Sequence, residues 1–451
     1  MPRAIASPAR PDADAVRAAT FAALDRLCPP GALGVAVSGG GDSTALLLLA
    51  AEWARAQERR IEAVTLDHRL RAESAADAQA VADLARRLSV PHTCLAWETG
   101  QGPGGNLQAR AREARQQLIG DWASEAGLEA VLLGHTLDDQ AETFLLRLAR
   151  GSGLDGLSGM RERADLAGTL WMRPLLGIRR AALRAWLAAL GVPWFEDPSN
   201  DDTRFGRVQA RRMLAALAPL GITADRLAET AGRLDDDRGV LEEAVAKLAG
   251  TARRWGALGE VTMVLPALAD APPALTMRLF GDTLRRVGGA HYAPRRARLE
   301  ALWARLTEAD FGGATLGGCV LEHKGGDLIV YREPAAQAAR VAVDRGGVWD
   351  GRWSLRSGAL PDSTGLGALG AEGVATVRAA LDPEDLPAAW HTAPHGLRLA
   401  LPALWYGGDL LAVPHLGYRS QALRTMGAKV EMIDHGHPDR RAVPEGRNPA
   451  S

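Results

Sequence analysis

Cysteine is scarce in this 451-residue chain. Cys28, Cys94 and Cys319 lie far apart and form no Cys-x-x-Cys pair. That argues against a zinc ribbon or an iron–sulfur cluster held by neighbouring cysteines, and so sparse and odd a count fits a reducing compartment. Lysine is equally rare: Lys247, Lys324 and Lys429 stand against 50 arginines. GC-rich coding accounts for most of that bias, yet the bias has a consequence. No lysine precedes Lys247, so the first half can hold neither a Gly-Lys-Ser/Thr phosphate loop nor a lysine Schiff base. Long apolar runs are missing too. The run Ala45–Ala51 falls well short of the roughly 18 apolar residues that a membrane span needs. The opening MPRAIASPARPDADAV lacks the apolar segment of a secretory signal. The expectation is a cytoplasmic protein. A net charge of -1 excludes a uniformly basic nucleic-acid binder and leaves room for local basic faces.

What is present is an ordinary globular composition, 47% hydrophobic and 24% charged, with glycine and proline spread along the chain. The length predicts two or three domains. In the first 150 residues, short apolar runs alternate with helical patterns. Strands are expected at Leu33–Val37, Ile61–Leu66, His92–Trp97 and Glu129–Gly134. Helices are expected at Ser43–Gln57, Glu73–Leu88, Leu107–Ala126 and Asp138–Arg150. This pattern predicts a doubly wound, Rossmann-like α/β domain with a parallel sheet. Ligands of such sheets sit beyond the carboxyl ends of the strands, at the switch in strand order. A catalytic domain is expected over 1–217, a mainly helical one over 218–335, and a small mixed α/β domain over 340–451. Residues 219–306 read as helical throughout. Later strands are expected at Ala314–Glu322, Asp327–Tyr331, Leu397–Leu401 and Leu410–Val413, and a linker near Pro334–Ala339.

The loop after the first strand reads Ser38-Gly39-Gly40-Gly41-Asp42-Ser43. Between a strand and a helix N-terminus, its successive N–H groups make an anion nest, and glycines let a phosphate come close. Asp42 would repel phosphates unless a cation lay between, which points to Mg2+. Taken alone, the same residues also fit a tight turn with Asp42 capping the helix.

SGGGDS resembles the phosphate loop of the N-type ATP pyrophosphatases, the PP-loop superfamily with its adenine nucleotide alpha hydrolase-like fold. Further blocks narrow the resemblance. They are LDHRLR (66–71), NLQARAREAR (106–115), GHTLDDQAET (134–143), RGSGLDGLSGM (150–160), RPLLGIRRAALRAWL (173–187) and WFEDPSNDD (194–202). Together they are similar to the tRNA(Ile)-lysidine synthases, densely from about Val35 to Arg212. The resemblance implies ATP and Mg2+ as cofactors, and a CAU-anticodon tRNA(Ile) and free lysine as partners. It implies neither a membrane nor a protein partner. Two other readings stay open: another PP-loop tRNA-modifying or amide-forming enzyme, and a non-catalytic RNA- or nucleotide-binding protein.

By the resemblance, Ser38, Gly39, Gly40, Gly41, Asp42, Ser43, Asp67, His68, Gly134 and His135 bind ATP. Asp42, Arg112, Asp138 and Asp139 are the catalytic candidates, and Asp42 and Asp139 the metal candidates. Arg115, Glu142, Arg204, Arg207, Arg211 and Arg212 are candidates for tRNA or lysine. The chemistry of the residue types agrees. Arginine forks bind phosphate, and Arg112 and Arg115 share a helix face. Asp139 and Glu142 are one turn apart and can hold a cation or steer an amine, while Asp138 reads as the cap of its own helix. Gly151–Gly159 has too many glycines for a helix and is expected to be a mobile loop. Glu196, Asp197 and Asn200 fit either catalysis or an Asx-type turn. Arg285, Arg286, Arg295, Arg296 and Arg298 form a second basic patch.

Overall fold

The computed structural model describes residues 13–67, 74–96, 107–166, 169–196, 206–290, 292–306, 311–343, 348–357 and 360–437. Two compact units, Met1–Gly239 and Val240–Ser451, divide the chain.

In the first unit α1 (Ala13–Leu27) precedes the expected alternation. It runs β1 (Leu33–Ala36), α2 (Gly41–Ala56), β2 (Ile61–Asp67), α3 (Ser74–Arg87), β3 (His92–Ala96), α4 (Leu107–Glu125), β4 (Ala130–Leu133) and α5 (Leu137–Leu148). The one-turn α6 (Leu154–Leu157), the hairpin β5 (Arg163–Leu166) and β6 (Thr169–Met172), α7 (Arg180–Ala189) and α8 (Gly206–Leu217) follow, and α9 (Ala224–Ala252) begins in the first unit and ends in the second. Among the described residues the sheet has six strands in the order β3-β2-β1-β4-β6-β5. All pairings are parallel except that of the edge strand β5.

Strand periodicity explains the two layers of helix. Leu33, Val35, Ala63, Leu132 and Met172 pack against α1, α2, α3 and α7. Their neighbours Ala36, Val64, Val131 and Trp171 pack on Ile119, Trp122 and Ala123 of α4. Buried on both faces, these strands read as continuous apolar runs, as parallel strands do. The strand order runs outward from β1 in one direction and from β4 in the other. The crevice between the ends of β1 and β4 is therefore the switch point.

The Gly151–Gly159 segment differs from expectation. It contains α6 and is tied down. Arg147 Nη1 donates to the carbonyls of Gly156 (2.7 Å) and Gly159 (2.8 Å). Gln140 exchanges two hydrogen bonds with the backbone of Met160. The glycines here serve a tight, pinned turn.

The second unit departs further. The 219–306 stretch is not helical throughout, because β7 (Arg253–Trp255) and β8 (Val261–Met263) form an antiparallel hairpin. With β9 (Ala314–Leu316), β10 (Cys319–Lys324) and β11 (Asp327–Arg332) they make a sheet of order β7-β8-β11-β10-β9. The helices α10 (Leu265–Ala269), α11 (Pro273–Val287) and α12 (Arg296–Leu306) share its core. A second sheet joins β12 (Val341–Ala342), β14 (Gly365–Ala368), β15 (Pro402–Tyr406), β16 (Asp409–Val413) and β17 (Tyr418–Arg419), and β13 (Trp353–Ser357) pairs with β18 (Val430–Asp434). Among the described residues the unit also has four short helices: α13 (Gly370–Ala380), α14 (Ala388–Thr392), α15 (His395–Leu399) and α16 (Gln421–Met426). The strand expected at Leu397–Leu401 is largely α15, since a five-residue apolar run fits either state. The expected linker at Pro334–Ala339 is a tethered turn. Arg332 donates to the Ala336 carbonyl, and Asp350, paired to Arg332 at 2.7 Å, accepts the Ala338 N–H at 2.9 Å.

His415 in this unit yields a pH prediction. It is buried, edge-on to Trp353 at 4.9 Å between ring centroids. Burial pushes the imidazole down to about 3, the Asp434 charge opposing and the Arg352 charge assisting. The unfolded imidazole titrates near pH ~6.5. Because the folded value is depressed, the stabilisation is present above that pH and is lost as pH falls toward 3. Melting temperature should therefore drop across this window, and His415→Gln should flatten part of the drop. Parallel pH profiles for the two proteins would refute the assignment.

Candidate active site

The loop leaving β1 turns through Gly39 at φ +82°, a conformation that suits glycine. The Ser38 N–H donates to Ser43 Oγ at 3.1 Å, and Ser43 Oγ donates back to the Gly40 carbonyl at 3.0 Å. The two serine hydroxyls stand 3.2 Å apart. No side chain caps α2, so donors of its first turn remain for a ligand. Gly134 at the end of β4 lies against this turn: a Cβ there would come within 3.0 Å of the Ser43 backbone N and Cα. On the other side the Phe195 N–H donates to the Gly39 carbonyl at 3.0 Å.

A cavity of about 510 Å³ opens at this point. The loop residues Ser38, Gly40, Gly41, Asp42 and Ser43 line one part of it, with Gly134 and His135 beside them. Arg115, Arg173, Arg180, Arg184, Arg207 and Arg211 also reach it.

Arg180 is the hub. Its Nε donates to Asp42 Oδ2 at 2.8 Å, its Nη1 to Glu142 Oε1 at 3.1 Å and its Nη2 to Asp139 Oδ1 at 3.1 Å. Arg207 Nη1 adds a bond to Asp139 Oδ1 at 3.3 Å, and Arg211 Nε one to Glu142 Oε1 at 2.7 Å. Asp139 Oδ2 accepts the N–H and the hydroxyl of Thr136, each at 2.9 Å, and so caps α5. Asp138 does not cap its own helix. Its Oδ2 accepts the backbone N–H of Arg180 at 2.7 Å, capping α7 instead.

The carboxyl groups are pushed apart in acidity. Burial lifts Asp42 above the usual carboxylate range and outweighs the Arg180 guanidinium. Asp139 is buried too, but the charges of Arg180 and Arg207 and the Thr136 N–H hold it below that range. Arg180 loses to burial, yet Asp139, Asp42 and Glu142 more than compensate and raise it. Burial drives His135 down to about 3, so it is neutral near pH ~7.

Residues 17–217 match a known family, the PP-loop domain. The tRNA(Ile)-lysidine synthase of Ruegeria pomeroyi is 42% identical over 392 residues, covering 86% of this chain and 90% of the relative. The chain belongs to the tRNA(Ile)-lysidine synthase family. The enzyme of that name from Methylobacterium nodulans is 43% identical, covering 70% of this chain and 95% of the relative. A third, from Methylobacterium sp. strain 4-46, is 40% identical, covering 69% and 92%.

The positions that the family resemblance singles out fall as follows. Ser38, Gly40, Gly41, Asp42, Ser43, Gly134, His135, Asp139, Arg115, Arg207 and Arg211 line the cavity together. Gly39 forms the turn beneath it, and Asp67 ends β2 without lining it. Glu142 is 1% exposed, so it supports Arg180 and Arg211 from below and offers no face to a substrate. Arg212 is exposed on α8 and points elsewhere than the cavity wall. His68, Asp197, Asn200 and Arg204 lie outside the described residues, as does the side chain of Arg112 on α4.

Sequence reasoning missed Arg180, Arg173 and Arg184. One signal was available: Arg179-Arg180 opens a helix, where the dipole favours acids. A cation there requires nearby carboxylates, and Asp138, Asp42 and Asp139 supply them.

Mg2+ chemistry suits one atom in particular. Asp42 Oδ1 is buried without a hydrogen-bond partner, facing away from its Arg180 bond. Glu142 Oε2 is likewise buried without a hydrogen-bond partner, but Asp42 belongs to the phosphate loop and lines the cavity. Mg2+ commonly takes one or two carboxylates and completes its shell with water and phosphate, so the Asp42 oxygen fits. Both oxygens of Asp139 are occupied by Thr136, Arg180 and Arg207. Among the described residues no group of three or more His, Cys, Asp or Glu forms a preassembled metal cage. No described helix is long and apolar enough to cross a membrane.

Proposed function

We propose that this protein joins free lysine to C2 of the wobble cytidine in a CAU-anticodon tRNA(Ile), using ATP. The supporting observation is the switch-point cavity, which sets an uncapped helix start beside Asp42 and an arginine wall. The C2 oxygen attacks the α-phosphorus of ATP, and pyrophosphate leaves toward the Ser38–Ser43 loop. The lysine ε-amine then attacks C2 and AMP departs. A carboxylate at the cavity, Asp42 or Asp139, takes the proton that the amine must lose. Asp42, with Asp139 if Arg180 yields, would hold Mg2+, which supplies charge neutralisation at the phosphates. His135 and Gly134 border the nucleotide and Arg115 lies at the phosphates; the family resemblance assigns Asp67 and His68 to the adenosine and Arg112 to the phosphates. Arg207, Arg211 and Arg212 on α8, and Arg204 by its position in the sequence, are assigned to tRNA. Residues 218–335 serve as a tRNA-binding domain and 340–451 as a small C-terminal domain, in a cytoplasmic enzyme. The product pairs with A, so the tRNA reads AUA.

The test is transfer of labelled lysine to a CAU-anticodon isoleucine tRNA transcript with MgATP, beside the matching methionine tRNA. Acid-stable label in the first alone is expected. Pyrophosphate release without label would replace lysine as the nucleophile. Neither signal from folded protein would favour a non-catalytic binder.

With a net charge of -1, binding depends on local arginines and shape. The salt dependence of tRNA affinity should therefore correspond to few phosphate contacts. A slope on the order of ten released counterions would contradict this.

A further inference from the structure

We infer that Arg184 is a catalytic residue that grips the pyrophosphate as it leaves. The inference rests on the reaction proposed above. Arg180 and Arg184 are four residues apart on α7, share a face and line the same cavity. Arg180 is committed to three carboxylates. Arg184 is not. Its Nη1 pairs with Glu196 Oε1 at 3.1 Å, and the two side chains are 40% and 62% exposed. An exposed pair of this kind contributes about 0–1 kcal/mol, so it exchanges at small cost. The Glu196 carboxylate would remain in water, and it also accepts from Trp194 Nε1 at 3.3 Å. Meanwhile Arg184 Nε is buried with no hydrogen-bond partner. It is a donor that lacks an acceptor at the cavity wall.

Position completes the argument. Glu196 follows Phe195, whose backbone bridges to Gly40 of the phosphate loop. Arg184 therefore stands beside the loop, close enough for its charge to act on Asp42. When the cytidine oxygen bonds to the α-phosphorus, the bond from that phosphorus to the bridging oxygen breaks. The electron pair stays on the β-phosphate oxygen, and negative charge gathers on pyrophosphate. A guanidinium that trades Glu196 for that oxygen offers two parallel N–H donors where the charge develops.

Three full-length variants test this: Arg184→Gln, Arg184→Lys and Glu196→Gln. Pyrophosphate binding is read by titration calorimetry without tRNA, and pyrophosphate release by steady-state kinetics with tRNA. Thermal melting confirms that each variant is folded. Arg184→Gln should weaken pyrophosphate binding and lower kcat by roughly 10- to 100-fold, with KM for tRNA unchanged. Arg184→Lys should fall between Arg184→Gln and the parent, since it keeps the charge and loses the fork. Glu196→Gln should leave both readings within about twofold, or tighten pyrophosphate. Equal losses in Arg184→Gln and Glu196→Gln would overturn the proposal, because the ion pair would then merely hold the Trp194–Glu196 segment. A raised KM for tRNA with unchanged pyrophosphate binding would also overturn it, assigning the cation to the RNA backbone. If the parent protein transfers no lysine yet binds pyrophosphate through Arg184, the reaction above fails and the grip stands.

Discussion

Asp42→Ala should lower tRNA-dependent pyrophosphate release by about 100- to 1000-fold, while tRNA affinity stays nearly unchanged. Asp42 is in the first turn of α2, within the loop that receives the phosphates. One of its oxygens is held by Arg180 and the other is buried without a partner. Alanine removes both, so the site loses its best cation ligand and Arg180 loses a counter-charge. Neither loss touches the exposed arginines assigned to RNA. Asp42→Asn separates the two roles: it keeps the shape and the hydrogen bond and gives up the charge. If Asp42→Ala turns over normally, the cavity is not where ATP is cleaved. If it binds tRNA poorly as well, the residue holds the fold rather than the chemistry.

Arg180→Met should be the most destabilising single change in the first unit, at about 3 kcal/mol or more. Asp139 and Glu142 are 6% and 1% exposed, and Arg180 neutralises both. Removing it leaves Asp42 without a cation partner among the described residues, and leaves Asp139 and Glu142 only the partly exposed Arg207 and Arg211, which costs more than the pair ever contributed. Urea unfolding would measure the loss. Arg180→Lys should restore part of it, because one ammonium cannot reach three carboxylates in the fixed geometry of a guanidinium. Adding Glu142→Gln to Arg180→Met should recover stability, since it removes one stranded charge. A loss below about 1 kcal/mol would show that water or Arg207 and Arg211 replace Arg180 readily.

The two residues differ in how visible they are before folding. Asp42 belongs to a local signal: a strand, a glycine loop and a helix start within ten residues. The same locality makes β1 to β4 and α2 to α5 legible, because each has its own period. Arg180 is legible only through partners up to 138 positions away. Asp138 illustrates the point in reverse. As an acid at a helix start it reads as a local cap, yet it caps α7, while Asp139 takes the local task. The β7–β8 hairpin escaped notice because its strands are three residues long, and Arg-Arg-Trp carries no alternation. Gly156 and Gly159 suggested looseness, but Arg147 binds both carbonyls. Composition describes a segment's freedom in isolation, whereas tethers from distant side chains remove it.

Every cationic side chain among the described cavity residues is an arginine, and no lysine precedes Lys247. An adenylated cytosine is an electrophile that any neutral amine can take. A lysine on the wall would be a resident competitor, tethered at high effective concentration, and each miscarried turnover would tie the tRNA to its own enzyme. Guanidinium groups stay protonated and do not attack. The wall can thus hold phosphate and RNA while remaining inert toward the activated base. On the proposed reaction, this chain is protected from suicide labelling by its choice of cation.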